Sequence, residues 1–334
     1  MANVLTLGEI MLRLSTEPGS RIGQASHFQA HYGGGEANVA ISLAHFGHHV
    51  SFASKVPDSA LGEAVKRHLQ GNGVSTDFLL TGGPRLGTYY MESGIGERSA
   101  KVIYDRAGSS FATMMETEWD IEQLFAGMDL FHISGITAAL SDKWKDLTLK
   151  LVKKAKDSNV KISFDINYRG KLWSQQEAGE TIRRIMPYVD YCSAGKMDAL
   201  YLLDIPTYHG TDKELVYYYN EISRNYSNIQ LIYSTNREIK SASSNQLQGT
   251  LWVGGNYYES QTHHISPIVD RVGGGDAFAA GILQGILNQS EPQEMINFAT
   301  AASALKHTVY GDCNQFSKEE INEFLKSGSG KIIR

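Results

Sequence analysis

The sequence has few cysteines and no long apolar run, and each of these absences excludes a class of protein. Its 334 residues include only 2 cysteines, Cys192 and Cys313. Two cysteines cannot form a disulfide framework, and neither has a partner at zinc-site spacing, so we expect free thiols in a reducing compartment. No stretch reaches the roughly 18 uninterrupted apolar residues of a membrane helix, and the first residues lack the features of a signal peptide. We therefore expect a soluble, cytoplasmic protein with no membrane partner.

Positive charge is also scarce. The chain has 31 Lys and Arg residues against 36 Asp and Glu residues, a net charge of -5, and no basic block. A nucleic-acid surface needs clustered Lys and Arg to neutralise phosphates, so we expect no nucleic-acid partner. The length allows either two domains of roughly 150 residues or one large α/β domain. We favour a single domain over residues 1–334 with a small appendage.

Two common nucleotide-binding motifs are missing. The chain contains no Gly-x-x-x-x-Gly-Lys-Ser/Thr sequence, which excludes a Walker-type loop. After the first predicted strand, Gly8 is followed by Glu9, Ile10 and Met11 instead of the further glycines of a dinucleotide-binding turn. This absence argues against a dehydrogenase.

Short apolar or β-branched runs alternate with segments of helical spacing. The predicted strands are residues 4–7, 50–53, 130–134, 162–165, 188–193 and 229–234. Helical spacing of apolar residues marks, among others, residues 144–155 and 178–186. This alternation predicts an α/β fold with a mostly parallel central sheet and helices on both of its faces.

Two stretches, about 11–32 and 86–106, break this alternation. In the second, tyrosines and aliphatic residues flank a polar tip at residues 94–98, which predicts a β-hairpin. Alternation along a strand places Tyr104 and Arg106 on the same face, and it turns Tyr90 to the face opposite Tyr89.

The most informative motif is the glycine run Gly273 to Gly275, followed by Asp276 and a small-residue helix. Consecutive glycines let backbone N–H groups point inward, and the helix adds its positive N-terminal end, so the run can hold a phosphate. We expect a left-handed conformation at Gly275, and Asp276 would act as the base for an attacking hydroxyl. The alternative is a glycine-rich turn into a buried helix, with no chemical role.

A second glycine cluster, Gly33 to Gly35, precedes Asn38 and an apolar helix that we expect to end at Gly47. With further landmarks at residues 55–62, 72–76 and 165–169, the chain resembles the ribokinase-like carbohydrate kinases over nearly its whole length. In that family the upstream segment contacts the sugar, and the downstream segment holds the anion hole and the catalytic Asp. The resemblance implies a ribokinase-like fold in which the segments 11–32 and 86–106 form a small β-sheet lid. It also implies ATP and Mg²⁺ as cofactors and leaves a monovalent cation open.

Two arginines bear on the choice of sugar, because a guanidinium group binds a carboxylate through two parallel hydrogen bonds. Arg106 ends a predicted lid strand, and Arg169 follows a central strand at the edge where ligands of open α/β sheets bind. Either one could instead be a solvated surface residue. Within the family, the chain is most similar to the 2-keto-3-deoxygluconate kinases, which phosphorylate the terminal hydroxyl of an acidic sugar to give the 6-phosphate and ADP.

That similarity implies the following site: Asp276 as the catalytic base, Gly273, Gly274 and Gly275 as the anion hole, and Gly34, Gly35, Asn38, Tyr89, Tyr104, Arg106 and Arg169 as the substrate contacts. A kinase of a neutral sugar, such as a fructokinase or ribokinase, remains an alternative. So does a sugar-acid sensor without catalytic activity.

The nucleotide side departs from the family pattern. Where relatives carry Asn-x-x-Glu, this chain has Gly195, Lys196, Met197 and Asp198, so the metal ligands stay unassigned and Asp198 is a candidate for indirect contact. The phosphate loop reads Thr235, Asn236 and Arg237 in place of Thr-x-Gly. The nucleotide-binding candidates are Asn167, Ser193, Thr235 and Arg237. We also expect the chain to form a homo-oligomer.

Overall fold

The computed structural model describes residues 1–211 and 213–327. In this part of the chain the strands are β1 (Asn3–Leu7), β2 (Met11–Ser15), β3 (Gln29–Gly33), β4 (His49–Val56), β5 (Val74–Ser75), β6 (Leu79–Thr81), β7 (Thr88–Glu92), β8 (Lys101–Asp105), β9 (Leu130–Ser134), β10 (Lys161–Asp165), β11 (Tyr191–Ser193), β12 (Leu231–Ser241), β13 (Ser244–Val253), β14 (Asn256–Glu259) and β15 (His263–Ile265). The α-helices are α1 (Gly35–His45), α2 (Ala60–Gly71), α3 (Ile121–Phe125), α4 (Gly135–Ala138), α5 (Asp142–Asp157), α6 (Gln175–Ile185), α7 (Lys196–Tyr201), α8 (Glu214–Asn225), α9 (Gly274–Leu287), α10 (Pro292–Lys306) and α11 (Lys318–Ser327).

A large sheet forms the centre of the molecule. Its strands follow the order β14-β13-β12-β11-β10-β9-β1-β4-β5, with β15 beside β13 and β6 beside β4. The strands from β12 to β5, together with β6, are parallel, which confirms the predicted mostly parallel sheet. The antiparallel edge formed by β13, β14 and β15 was not predicted from the sequence.

Helices cover both faces of this sheet, as the sequence predicts. On one face, α5 buries Trp144, Leu151 and other residues at helical spacing against α6, whose start is fixed by a capping box of Ser174 and Glu177. On the other face, α1, α9 and α10 pack closely through small residues. A Cβ atom at Gly281 of α9 would lie 2.5 Å from the Cα atom of Ala299 in α10, so this contact needs glycine.

A separate four-stranded sheet has the order β3-β2-β7-β8. Its strands fall almost entirely within the two stretches that break the α/β alternation. The predicted hairpin is confirmed, since β7 and β8 pair antiparallel with Tyr89 opposite Tyr104. The strand β8 lies at the sheet edge and is largely exposed.

Two further predictions concern cysteines and membrane segments. Cys192 and Cys313 are both free and buried. Among the described residues, no helix combines the length and the apolar character needed to cross a bilayer.

Candidate active site

A cavity of about 360 Å³ lies between the carboxyl edge of the large sheet and the four-stranded sheet. Glu9 follows β1, and Asp165 ends β10, so the cavity opens where parallel strands end, as in other open α/β folds. Most of the predicted site residues line it: Gly34, Gly35, Asn38, Tyr89, Tyr104, Arg106, Asn167, Arg169, Arg237, Gly273, Gly275 and Asp276.

Asp276 lies in the first turn of α9, at the positive end of the helix. The side-chain amide of Asn38, from α1, donates a hydrogen bond of 2.6 Å to its Oδ2 atom. Burial raises the pKa of Asp276 to about 6, and the nearby Glu36 adds to this effect, whereas the Asn38 hydrogen bond opposes it. The carboxylate is therefore ionised at pH 7 and still basic enough to accept a proton.

The glycine run differs from the sequence prediction in which residue is left-handed. Gly273 has a φ of +78°, and a Cβ atom there would lie 1.7 Å from the backbone oxygen of Asp312. At Gly275, by contrast, no positive φ is found and a Cβ atom would meet nothing within 4 Å. The expected left-handed conformation at Gly275 is thus wrong, because the chain turns at Gly273 and the helix has already begun at Gly274.

The start of α9 nevertheless has the form of an anion site. The first N–H groups of a helix have no partner within it, and both Gly273 and Gly275 line the cavity. Gly274 does not line the cavity: it is buried against His307, whose Cε1 atom would be 2.4 Å from a Cβ atom at this position. Its side of the turn therefore packs against α10.

The two arginines expected to bind a carboxylate both line the cavity, but their guanidinium groups have different partners. The Nε atom of Arg106 donates to Glu9 Oε2 at 2.8 Å, and the hydroxyl of Ser109 donates to Glu9 Oε1 at 2.5 Å. Arg169 is exposed, and its Nη1 atom donates to the backbone oxygen of Tyr168 at 3.2 Å. The charge of Arg106 is therefore partly balanced by Glu9, and that of Arg169 is available to a ligand.

The aromatic wall of the cavity comes from the hairpin. Tyr89 is buried and its hydroxyl donates a hydrogen bond to Asp312, while its ring lies 5.6 Å from the ring of Tyr104. Tyr90 points to the other face and contacts Phe28 instead. The predicted face assignment of these tyrosines therefore agrees with the hairpin register.

The upstream glycines stand at the start of α1. A Cβ atom at Gly34 would lie 2.0 Å from the backbone oxygen of Glu9, so glycine is needed for this approach. Gly47 has a φ of +91° just past the helix end, as the sequence predicts.

Arg237 and Arg271 line the same cavity close to the start of α9. Burial lowers the pKa of both guanidinium groups, and for Arg237 the charge of Arg271 lowers it further. The buried Nε atom of Arg237 has no hydrogen-bond partner within the described residues. Two cationic groups and an orphaned donor fit a polyanion such as a nucleotide triphosphate.

Of the remaining nucleotide candidates, Asn167 lines this cavity, whereas Ser193 and Thr235 do not. Thr235 lines a neighbouring groove of about 370 Å³, together with residues such as Lys196, Glu214 and Tyr257. The side chain of Ser193 instead hydrogen-bonds to Asp165, and Asn167 donates to the same carboxylate at 3.1 Å. Ser193 and Asn167 therefore support Asp165 in this structure.

Asp165 and Asp198 are the acidic residues to consider as a site for Mg²⁺. Burial, followed by the charges of Asp276 and Asp198, raises the pKa of Asp165 to about 7. Asp198 does not line the cavity, and its Oδ2 atom accepts a hydrogen bond of 2.8 Å from the Gly195 N–H. Within residues 1–211 and 213–327 no group of three or more potential ligands could hold a metal directly. Mg²⁺ typically takes one or two carboxylates, with water and phosphates, so these residues fit an indirect site.

Sequence reasoning missed five charged residues that line the cavity: Glu9, Glu36, Asp165, Arg271 and Asp312. Asp165 and Arg271 stood inside motifs that were already singled out, at a strand end and directly before the glycines. Glu9 and Asp312 carried no such signal, since their role depends on partners far away in the chain.

Comparisons with known proteins agree with this geometry. The model of the pfkB family carbohydrate kinases matches residues 1–319. A 2-dehydro-3-deoxygalactonokinase of Haloferax volcanii is 30% identical, over 100% of this chain and 99% of its own length. A crystal structure of a 2-dehydro-3-deoxygluconokinase from Thermotoga maritima is 39% identical, with a TM-score of 0.94, and the match covers 98% of this chain and 100% of that one. A PfkB family carbohydrate kinase from Listeria grayi is 44% identical, also with a TM-score of 0.94, over 97% of this chain and 99% of that one.

Proposed function

The chain belongs to the pfkB family of carbohydrate kinases and is an ATP-dependent sugar kinase, and from this premise we propose that its substrate is 2-keto-3-deoxygluconate. The product would be the 6-phosphate, with ADP released. Relatives named for the phosphorylation of 2-dehydro-3-deoxy sugar acids support a substrate of this class.

One observation carries the proposal: a single cavity is lined by Asp276, at a helix N-terminus, and by Arg106 and Arg169. Glu9 already balances part of the charge of Arg106, but a neutral sugar offers nothing that would pair with Arg169. A sugar acid places its carboxylate at the arginines and its terminal hydroxyl at Asp276. A sensor without activity would gain nothing from a base with a raised pKa beside an anion site.

The chemistry follows from these positions. Asp276 accepts the proton of the terminal hydroxyl as its oxygen attacks the γ-phosphorus of ATP and the bond to the β-phosphate oxygen breaks. The free amides at Gly273 and Gly275 stabilise the negative charge on the transferred phosphoryl group. The tyrosines of the hairpin and the four-stranded sheet exclude water, which would otherwise take the phosphoryl group.

The nucleotide would lie with its phosphates against Arg237 and Arg271 and its remaining part in the groove that Thr235 lines. Mg²⁺ neutralises charge on the phosphates when it is bound. Asp165 and Asp198 are the residues that would hold its water shell.

The test is a comparison of kcat/KM for 2-keto-3-deoxygluconate, its galactonate epimer and fructose. It uses the wild type, Arg106→Ala, Arg169→Ala and the surface control Arg67→Ala. Removing Arg169 should cost about 2 to 5 kcal/mol for the acids and little for fructose. Arg106→Ala also leaves Glu9 without its partner, so it should lower turnover of fructose as well, but that of the acids more. Arg67 is exposed and pairs with Glu63 within its own helix, so its variant should match the wild type.

Preference of the wild type for fructose, or equal losses for all three sugars in the variants, would replace the acid-sugar proposal with a neutral-sugar kinase. A preference for the galactonate epimer would keep the sugar-acid class and change only the substrate. No turnover of any sugar, with binding of the acids retained, would favour the sensor.

A further inference from the structure

Arg13, in β2 of the four-stranded sheet, is fully buried, which is unusual for an arginine. Its guanidinium group contacts two carboxylates outside this sheet, one in the loop before α9 and one in the loop after α10. The Nη2 atom lies 2.5 Å from Asp270 Oδ2, and the Nε atom lies 3.1 Å from Asp312 Oδ1. Both carboxylates are themselves almost completely buried. Arg13 therefore joins the small sheet to these two loops through ion pairs shielded from water.

The first of these loops leads directly into the anion site. The Asp270 carboxylate accepts hydrogen bonds of 3.1 Å from the N–H groups of Val272 and Gly311. Val272 immediately precedes Gly273. The position of the Asp270 carboxylate, which Arg13 holds, thus determines where the left-handed turn before α9 begins.

The second loop, which carries Asp312, contacts both the hairpin and the turn before α9. Asp312 accepts the hydrogen bond of Tyr89, and its backbone oxygen packs against the Cα side of Gly273. The buried ammonium of Lys306 donates to the backbone oxygen of Asp270 at 3.3 Å, so two cations and two carboxylates balance within the cluster.

We propose that Arg13 is a positioning residue for phosphoryl transfer: it fixes the small sheet, with Tyr89, against the loop that carries the anion hole. Arg13 does not line the cavity and touches neither reactant, so it acts only through Asp270 and Asp312. The inference rests on the proposed anion hole at Gly273 and Gly275.

A merely structural role for Arg13 predicts a different result. Loss of a buried ion pair lowers stability and the fraction of folded enzyme, and each folded molecule still transfers the phosphoryl group to the sugar. Loss of the link between the sheet and the loop misplaces the anion hole and admits water, so ATP is hydrolysed without sugar phosphorylation.

The deciding measurement is the amount of sugar phosphate formed per ADP released, together with kcat, KM and the thermal midpoint. The sugar is the one that the wild type phosphorylates fastest among the acids and fructose. Arg13→Lys keeps the charge but cannot span both carboxylates. Because Arg13→Met alone leaves a buried negative charge and can fail to fold, the double variant Arg13→Met/Asp270→Asn keeps the cluster balanced through Lys306 and Asp312. Arg67→Met is the control for the substitution itself.

The expected result is a kcat about 10²-fold lower in the folded double variant, with clearly less than one sugar phosphate per ADP, and a smaller change in the same direction for Arg13→Lys. One sugar phosphate per ADP in both variants would overturn the proposal, whether or not the thermal midpoint falls. Should the double variant fail to fold, the ratio for Arg13→Lys decides. Normal turnover of Gly275→Val would show that the proposed anion hole is wrong. Impaired turnover of Gly275→Val, together with one sugar phosphate per ADP in the Arg13 variants, would contradict only the role of Arg13.

Discussion

Asp276 illustrates how one residue takes its chemistry from neighbours that are far away in the chain. Its helix supplies a positive end, Asn38 donates a hydrogen bond, and Glu36 adds negative charge close by. Glu36 itself is buried and accepts hydrogen bonds from Ser134 and Thr137, so its position is fixed. The result is a carboxylate held in place with a pKa nearer to neutrality than that of a free Asp.

Replacing Asp276 with Asn tests its role as the base. Asn keeps the size and an acceptor for the Asn38 amide but cannot take the proton, so kcat should fall by about 10² to 10⁴. Nucleotide binding, measured by calorimetry, should change little. Asp142→Asn, at an exposed helix start, serves as the control and should have the wild-type rate. A near-normal kcat in Asp276→Asn would remove Asp276 from the mechanism.

The raised pKa of Asp276 predicts a particular pH dependence. The base must be ionised, so kcat/KM should decline as the pH falls through about 6, well above the usual range of an Asp, and should level off at higher pH. The charges of Asp165, whose pKa is raised to about 7, and Asp276 affect each other. The fall of kcat/KM at low pH therefore reflects the titration of both carboxylates together. The measurement is a pH profile with the sugar well below its KM. Full activity at pH 4.5 would contradict the assignment.

At the scale of single elements, the start of α9 has glycine at two positions for two different reasons. Gly273 must be glycine for the backbone, because its φ is positive and the Asp312 oxygen occupies the place of a Cβ atom. Gly275 has room for a side chain in the structure, so only the phosphate would require its small size. The two positions can therefore be separated by experiment.

We expect Gly273→Ala to lower stability by about 2 to 4 kcal/mol, since it adds a strained φ to a backbone clash. Gly275→Ala should leave stability equal or slightly higher, as Ala favours a helix over Gly by about 1 kcal/mol. Gly275→Val should fold normally and lose turnover because its side chain enters the phosphate site. Denaturant unfolding and steady-state kinetics on the three variants check this. Normal turnover of Gly275→Val would place the phosphate elsewhere.

At the scale of the whole molecule, the cavity lies between two sheets that differ in how far they are buried. The large sheet is buried by helices on both faces, whereas β8 of the small sheet is an exposed edge strand. Motion of the small sheet relative to the large one would open and close the cavity. The small sheet would thus act as the lid that the family resemblance implies.

Hydrogen exchange tests this motion. Backbone amides of β7 and β8 should exchange more slowly, by about tenfold, when both the sugar and a non-hydrolysable ATP analogue are bound. Amides of β1 and β9, in the centre of the large sheet, serve as the internal control and should not change. Equal exchange of β7 and β8 with and without ligands would mean that the small sheet is a rigid wall.

The sequence by itself determined the parallel core, the hairpin, the glycine run at a helix start and the carbohydrate kinase family, because these depend on local periodicity and on contiguous motifs. Tertiary structure alone decided that Gly273, and not Gly275, is the left-handed residue, since that conformation depends on the packing of the Asp312 loop. It also decided that Arg106 is paired with Glu9 and that Arg13 is buried between Asp270 and Asp312. These partners are far apart in the chain: Arg13 and Asp270 are separated by 257 residues. No local pattern encodes such pairs, because which charges meet depends on how the two sheets pack.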